Sequence, residues 1–284
     1  MSISYRSGFC NLSAHRRSTH RRSTPRTGFT LVELLVVISI IGLLVGLLAV
    51  AGTQALLRAR EVAVTTELTE MSQATEQFRI ENGFYPPSNI DSPSDLLPFL
   101  AQMAPNHREL EMVGGQTRLQ AWFDAVGVNL DQGTSLQFWL AGTVQNAQYP
   151  LTGGLPAGEI PVGFNSNELA DTFGPPSFPL NRRVYFEYDS SRFTGTGNVR
   201  SYVSAFGKST GDLRFLYRDS RSYAGGAYML DGAFINPNTF QIITPGLDGD
   251  LGGTGGSIFN QGPRANDNLC NFANGRLDAF INDN

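Results

Sequence analysis

Gly28-Phe29-Thr30-Leu31-Val32-Glu33 sets one carboxylate five residues after a glycine, at the start of a long apolar run. Such a carboxylate at a hydrocarbon boundary costs about 2–3 kcal/mol on insertion scales unless something pairs with it. Cleavage between Gly28 and Phe29 would supply a partner, because the new α-amino group lies four residues from Glu33. Within one helix, the positive end of the macrodipole also favours an acid in the first turn. Between two neighbouring helices, the amine of one copy meets Glu33 of the other and sets their axial register. The plainer alternative is a Glu33 that snorkels to the headgroups with no specific role.

A second group of donors lies near the C-terminus. Thr244-Pro245-Gly246-Leu247-Asp248-Gly249-Asp250-Leu251-Gly252-Gly253 is followed, after a polar Gly-rich stretch, by Asn266-Asp267-Asn268-Leu269-Cys270-Asn271-Phe272. Carboxylates, amide oxygens and main-chain carbonyls on a Gly-permissive loop are what Ca²⁺ takes as ligands. An EF-hand is excluded: with Asp248 as position one, Phe259 stands at the twelfth place, where a bidentate acid belongs. An ordinary Asp-Gly-Asp turn is the competing reading.

Enzymatic sites find little support. His15 and His20 precede Gly28, so a chain cut there keeps His107 alone, which excludes multi-histidine metal sites. Pro105-Asn106-His107-Arg108 has no nucleophile motif beside it, and no Gly-x-Ser-x-Gly elbow occurs. The Gly252 to Gly256 run lacks the Lys and following Ser or Thr of a phosphate loop.

The elements that must carry these residues can be read from charge and periodicity. No Asp, Glu, Lys or Arg occurs from Leu34 to Leu57, a run longer than the ~20 residues that cross a bilayer as a helix. Arg6, Arg16, Arg17, Arg21, Arg22 and Arg26 precede it with no acid among them, which places the N-terminus in the cytoplasm and the rest outside. A secretory signal peptide has a shorter apolar region and a small-residue cleavage site. Removing residues 1–28 would leave 15 basic against 25 acidic residues, a net charge of −10. Such a surface favours cations and does not bind nucleic acid electrostatically. Cys10 would leave with the leader, so Cys270 would have no intrachain disulfide partner.

Beyond the apolar run, Leu57, Val64, Leu68, Met71 and Phe78 recur at helical spacing, with Arg58, Arg60, Glu61, Glu67, Glu70 and Glu76 on other faces. The pattern predicts one helix from Phe29 to about Glu81, closed by Asn82-Gly83 and stopped by Pro86-Pro87. Strands are predicted at Arg183 to Tyr188, Val199 to Phe206, Leu213 to Tyr217, Ala227 to Leu230 and Thr239 to Ile243. An α+β fold follows: the long N-terminal helix, first transmembrane and then amphipathic, packs its second half on an antiparallel sheet. Leu96 to Met103, Gln116 to Val126 and Ser135 to Leu140 read as short helices or strands.

Gly28-Phe29-Thr30-Leu31-Val32-Glu33-Leu34-Leu35-Val36-Val37-Ile38 resembles the prepilin cleavage and methylation signature of type IV pilins and of the pseudopilins of type II secretion systems. The resemblance implies removal of residues 1–28 by a prepilin peptidase, N-methylation of Phe29 and a role for Phe29 and Glu33 in subunit docking. Gly42 stands where the family usually has glycine, whereas the proline many members carry near Val50 is missing. Phe78-Arg79-Ile80-Glu81-Asn82-Gly83-Phe84-Tyr85-Pro86 resembles the helix end and Tyr-Pro turn of the major pseudopilin of type II secretion systems, and Asp171-Thr172-Phe173-Gly174-Pro175 its Asp-Pro-Trp-Gly-x-Pro segment. The acidic C-terminal stretch resembles the calcium loop of the same major pseudopilin. Asp248 matches the first acid, Pro245 a main-chain carbonyl donor, and Asp267 with Asn268 the later pair.

These implications divide the chain into a basic leader at 1–28, a transmembrane or filament-core half-helix at 29–57, an amphipathic half at 58–85 and a head at 86–284. The head would carry an insertion at about 91–170 that decorates the outer face, and the calcium-type loop at 244–272. The expected subunit is a non-enzymatic, single-pass protein of the bacterial inner membrane with its head in the periplasm or extracytoplasmic space. Its partners would be further copies of itself, the prepilin peptidase, minor pseudopilins and an inner-membrane assembly platform. Two other readings stay open: a type IV pilus subunit for adhesion, motility or DNA uptake, and an anchored extracytoplasmic binding protein.

Overall fold

The computed structural model describes residues 28–126, 130–154, 182–194, 201–206, 213–251, 267–273 and 275–283. The chain forms two compact units, residues 1–51 and 52–284. Helix α1, Leu31–Asn82, contributes to both.

In the first unit α1 begins one residue after Thr30 and is long and apolar enough to cross a membrane, with nothing in its most apolar stretch buried. Leu31, Leu43 and Leu48 are each more than three-fifths exposed. Leu, Ile and Val around the whole circumference leave this half no polar face for water, which is the composition of a helix that meets lipid or other helices.

In the second unit α1 turns amphipathic, as its spacing predicts. Val64, Leu68, Met71 and Phe78 are essentially fully buried, whereas Leu57, expected in the same stripe, is 42 % exposed and belongs with the apolar half. The helix ends where Gly83 adopts a left-handed φ of 84° and its N–H donates to the Arg79 carbonyl at 2.8 Å, a cap that glycine makes at no steric cost. Gln102 locks this turn by donating Nε2 to the Gly83 carbonyl at 2.9 Å.

A four-stranded antiparallel sheet packs on this helix. Its central strand Phe240–Thr244 pairs with Leu216–Asp219 on one side and Leu269–Cys270 on the other, and Gly275–Arg276 adds the last strand. Alternation along the strands sends Phe240, Ile242, Tyr217 and Leu269 into the core shared with α1. Leu216, Ile243 and Cys270 go to the opposite face, where Tyr228, Leu251 and Leu277 of the terminal helix Leu277–Asp283 cover them. Both faces are covered, so all five residues of the central strand are buried. The fold is α+β.

The region expected to decorate the outer face does something else. Helices α2 (Pro93–Met103), α3 (Arg118–Val126) and α4 (Ser135–Leu140) bring Leu96, Leu100, Leu119, Trp122, Leu136 and Trp139 into the same core as Val64, Leu68 and Phe78. Trp139 is fully buried, meets the Phe78 ring edge-on at 5.9 Å and donates Nε1 to the Pro87 carbonyl at 3.1 Å. Residues 91–126 and 130–154 therefore form one wall of the head's core.

The strands are shorter than their β-branched and aromatic composition suggests. Of Arg183 to Tyr188 only Arg183 pairs, as part of Arg182–Arg183 against Thr143–Val144. The chain then turns so that the Tyr185 and Phe186 N–H groups reach the open end of α4 at the Leu140 carbonyl, at 2.9 and 3.1 Å. In the Leu213 to Tyr217 segment the ladder to the central strand starts late, at Leu216, while Leu213 and Phe215 bond instead to Ser204 and Tyr202 around a Val203–Arg214 bridge. The Val199 to Phe206 prediction falls partly outside the described residues, and Ser201–Tyr202 pairs with Phe193–Thr194.

Polar ties fix the helix to the head. Glu67 accepts from the two terminal guanidinium nitrogens of Arg192 at 2.8 Å and from the Tyr202 hydroxyl at 2.6 Å. A bidentate, largely enclosed pair of this kind adds geometric specificity that a single-point ion pair lacks.

Candidate functional site

Gly28 and Phe29 sit ahead of the first turn of α1, Phe29 three-quarters exposed and Gly28 with open space where a side chain would project. Thr30 is the residue that caps the helix. Its backbone N–H and its hydroxyl donate to Glu33 Oε2 at 2.8 and 2.7 Å, and the Glu33 N–H donates to Thr30 Oγ1 at 3.2 Å. This is a reciprocal capping box: two donors at the open end of the helix are satisfied by side chains three residues apart. Both Thr30 donors land on one oxygen, which leaves Oε1 without a hydrogen bond among the described residues. Glu33 can thus hold its own helix end and still offer an acceptor to a second cationic group. Thr30 is not among the residues expected from the sequence, although the Thr-x-x-Glu spacing ahead of an apolar run signals this box.

The C-terminal site is built by strand pairing. Thr244 lies opposite Leu269 in the sheet, so the segment leaving one strand, Pro245 to Leu251, closes on the segment entering the other, Asp267 and Asn268. The approach is tight: a side chain at Gly246 would sit about 2.2 Å from the Asp267 carbonyl oxygen. Gly249 supplies the turn with a φ of 70°, and the Asp250 N–H donates to Asp248 Oδ1 at 2.8 Å.

The four expected ligand residues divide into different roles. The Asp248 N–H donates to Asp267 Oδ2 at 3.3 Å, which sets the two acids side by side. Burial pushes the Asp267 carboxyl above the usual range and the negative charge of Asp248 adds to it, against the opposing pull of main-chain N–H groups and of Arg276. Asn268 is fully buried, donates Nδ2 to the Leu251 carbonyl at 3.1 Å and accepts the Gly246 N–H at 3.4 Å. Both ends of its amide clamp the loop from inside, so it positions the acids. Pro245 is buried at the strand exit. A hard divalent cation placed between the exposed Asp248 and the part-buried Asp267 would neutralise their mutual repulsion. Among the described residues no group of three or more acidic, His or Cys side chains gathers as a metal cluster. Asn266, the 252–265 stretch and Asp171 to Pro175 lie outside the described residues.

Cys270 is buried in the smaller core, and burial pushes its thiol well up, away from the reactive thiolate.

Residues 24–49 match the family model described as the Prokaryotic N-terminal methylation motif. No curated protein matches the chain. No solved structure matches it either. The match spans the cleavage and methylation signature and most of the apolar half of α1, so the N-terminus carries a type IV pilin-like prepilin signature joined to an α+β head.

Proposed function

We propose that the chain is a pseudopilin, a structural subunit of a periplasmic helical filament that serves type II protein secretion. The observation that carries this reading is the methylation motif at residues 24–49, whose residues from Leu31 onward lie on a half-helix with exposed apolar side chains. A prepilin peptidase cuts after Gly28, and Phe29 becomes an N-methylated terminus. Before assembly the apolar half-helix anchors the subunit in the inner membrane with its head outside. In the filament the same surface packs against other copies, and Glu33 Oε1 accepts from the Phe29 amine of a neighbour. Each contact joins unlike surfaces, so the assembly stays open and grows. Minor pseudopilins and an inner-membrane platform driven by a cytoplasmic ATPase complete the machine.

Deleting the gene in its native cells tests the reading. Folded exoproteins should accumulate in the periplasm while twitching motility persists. Intact secretion together with lost twitching would assign the chain to a type IV pilus instead.

We further propose that Ca²⁺ binds at Asp248 and Asp267, with the Pro245 carbonyl as a main-chain donor. A raised carboxyl pKa contributes stability that is present at low pH and lost as pH rises through it. In chelator, Asp267 should therefore subtract stability as pH climbs through the carboxylate range, against the gain from Glu81 and Asp189, whose carboxyls are held below their usual range by hydrogen bonds. Asp267→Asn removes that loss, so at neutral pH in chelator its Tm should exceed the wild type's. Adding Ca²⁺ should raise the wild-type Tm and leave the variant's unchanged. A variant that responds to Ca²⁺ like the wild type would remove the calcium proposal.

A further inference from the structure

Most charges on the head half of α1 have a partner within the chain. Glu61 approaches Arg276 at 3.8 Å, Glu67 holds Arg192, Glu76 holds Arg79 at 2.9 Å and Glu81 holds Arg183. Three charges stand apart from this pattern. Arg58 and Arg60 at the base of the head, and Glu70 farther up, are exposed and have no ion pair or hydrogen bond among the described residues. Two cations and one anion are thus left on one rigid helix, separated along its axis.

A helix rises 1.5 Å per residue, so Arg60 and Arg58 lie about 15 and 18 Å below Glu70. They cannot meet Glu70 of their own chain. A second copy running parallel and displaced along the axis by that distance brings the cationic base of one helix level with Glu70 of the other. Arg58 and Arg60 point about 160° apart around the helix at 100° per residue, so a neighbour on either flank finds one of them. Glu61, Glu67, Glu76 and Glu81 of the same helix are already engaged, which leaves Glu70 as the acid a neighbour's arginine can take.

We propose that Glu70 of one copy pairs with Arg58 or Arg60 of a neighbouring copy, and that this contact sets the axial stagger of subunits above the apolar zone. The inference rests on the filament reading. One exposed ion pair is weak by itself, but a polymer repeats it at every subunit, and its larger effect is to penalise wrong staggers, where like charges oppose.

The test uses the processed full-length chain assembled in its native cells and in purified form. Arg58→Glu combined with Arg60→Glu, and separately Glu70→Arg, should each cut filament yield at least about tenfold by setting like charges opposite one another. Combining all three substitutions should restore it. As a measurement independent of yield, Glu70→Cys copies mixed with Arg58→Cys or Arg60→Cys copies should form an intermolecular disulfide in one of the two mixtures; buried Cys270 does not compete. Filament yield that stays at the wild-type level in each reversal, with no cross-link in either mixture, would overturn the pairing and leave the filament reading standing. A processed wild-type chain that forms no polymer would overturn both.

Discussion

Gly28→Val leaves the chain at full length. Among the described residues nothing lies within 4 Å of where a side chain at Gly28 would begin, so the substitution disturbs no packing there and the head should fold as before. What changes is the surface offered to the peptidase, which must bring its catalytic groups up to the Gly28–Phe29 bond. A β-branched residue there blocks close backbone approach and narrows the accessible backbone conformations. The processed fraction, read as intact mass of membrane-extracted protein, should fall at least about tenfold, equivalent to about 1.4 kcal/mol in the cleavage step. On the proposed topology the retained leader would keep six arginines on the cytoplasmic side and deny Glu33 the free amine of a neighbour, so filaments should be lost with processing. Normal cleavage in the variant would show that this bond is not the processing site.

Trp139→Ala is expected to have the largest effect on stability. The side chain is enclosed by its neighbours and shielded from solvent: Phe78 of α1 and Phe138 meet it edge-on at 5.9 and 5.1 Å, and its indole N–H satisfies the Pro87 carbonyl. Truncating a buried tryptophan costs about 3–5 kcal/mol through lost burial and the cavity left behind, and here it also orphans a buried carbonyl. For a domain of this size that corresponds to a fall in Tm of roughly 6–20 °C. Circular dichroism of the processed chain in mild detergent measures it. Trp139 lies inside the segment that the family resemblance implies is an external insertion, so a fall of under about 1 kcal/mol would show that this segment does decorate the head and that the shared core contributes little.

The legible parts of the molecule are those set by local chemistry. Helix α1 is readable because its buried positions repeat at one period and its end is marked by Asn82-Gly83, which the Gly83 conformation explains. The apolar run needs only composition. The wall made by α2 to α4 is not legible, because Leu96, Trp122 and Trp139 join the core around Phe78 only through tertiary packing, and their short segments carry too few turns to show a period. The strands are overextended in the sequence reading for a related reason: Tyr185 and Phe186 look like strand residues, but their aromatic rings pack around Phe78 and Tyr188 while their N–H groups cap α4. At the two candidate sites, residue type finds the charged groups and misses what holds them. Thr30 caps the helix that presents Glu33, and Asn268 has both ends of its amide committed to the loop beneath Asp248 and Asp267.

The most direct measurement is intact mass with N-terminal peptide sequencing of the wild-type protein extracted from the membranes of its native cells. A chain that begins at N-methyl-Phe29, lacking residues 1–28, is the predicted result and gives Glu33 its docking partner. A chain that begins at Met1 would contradict the filament function and leave an anchored extracytoplasmic domain in its place.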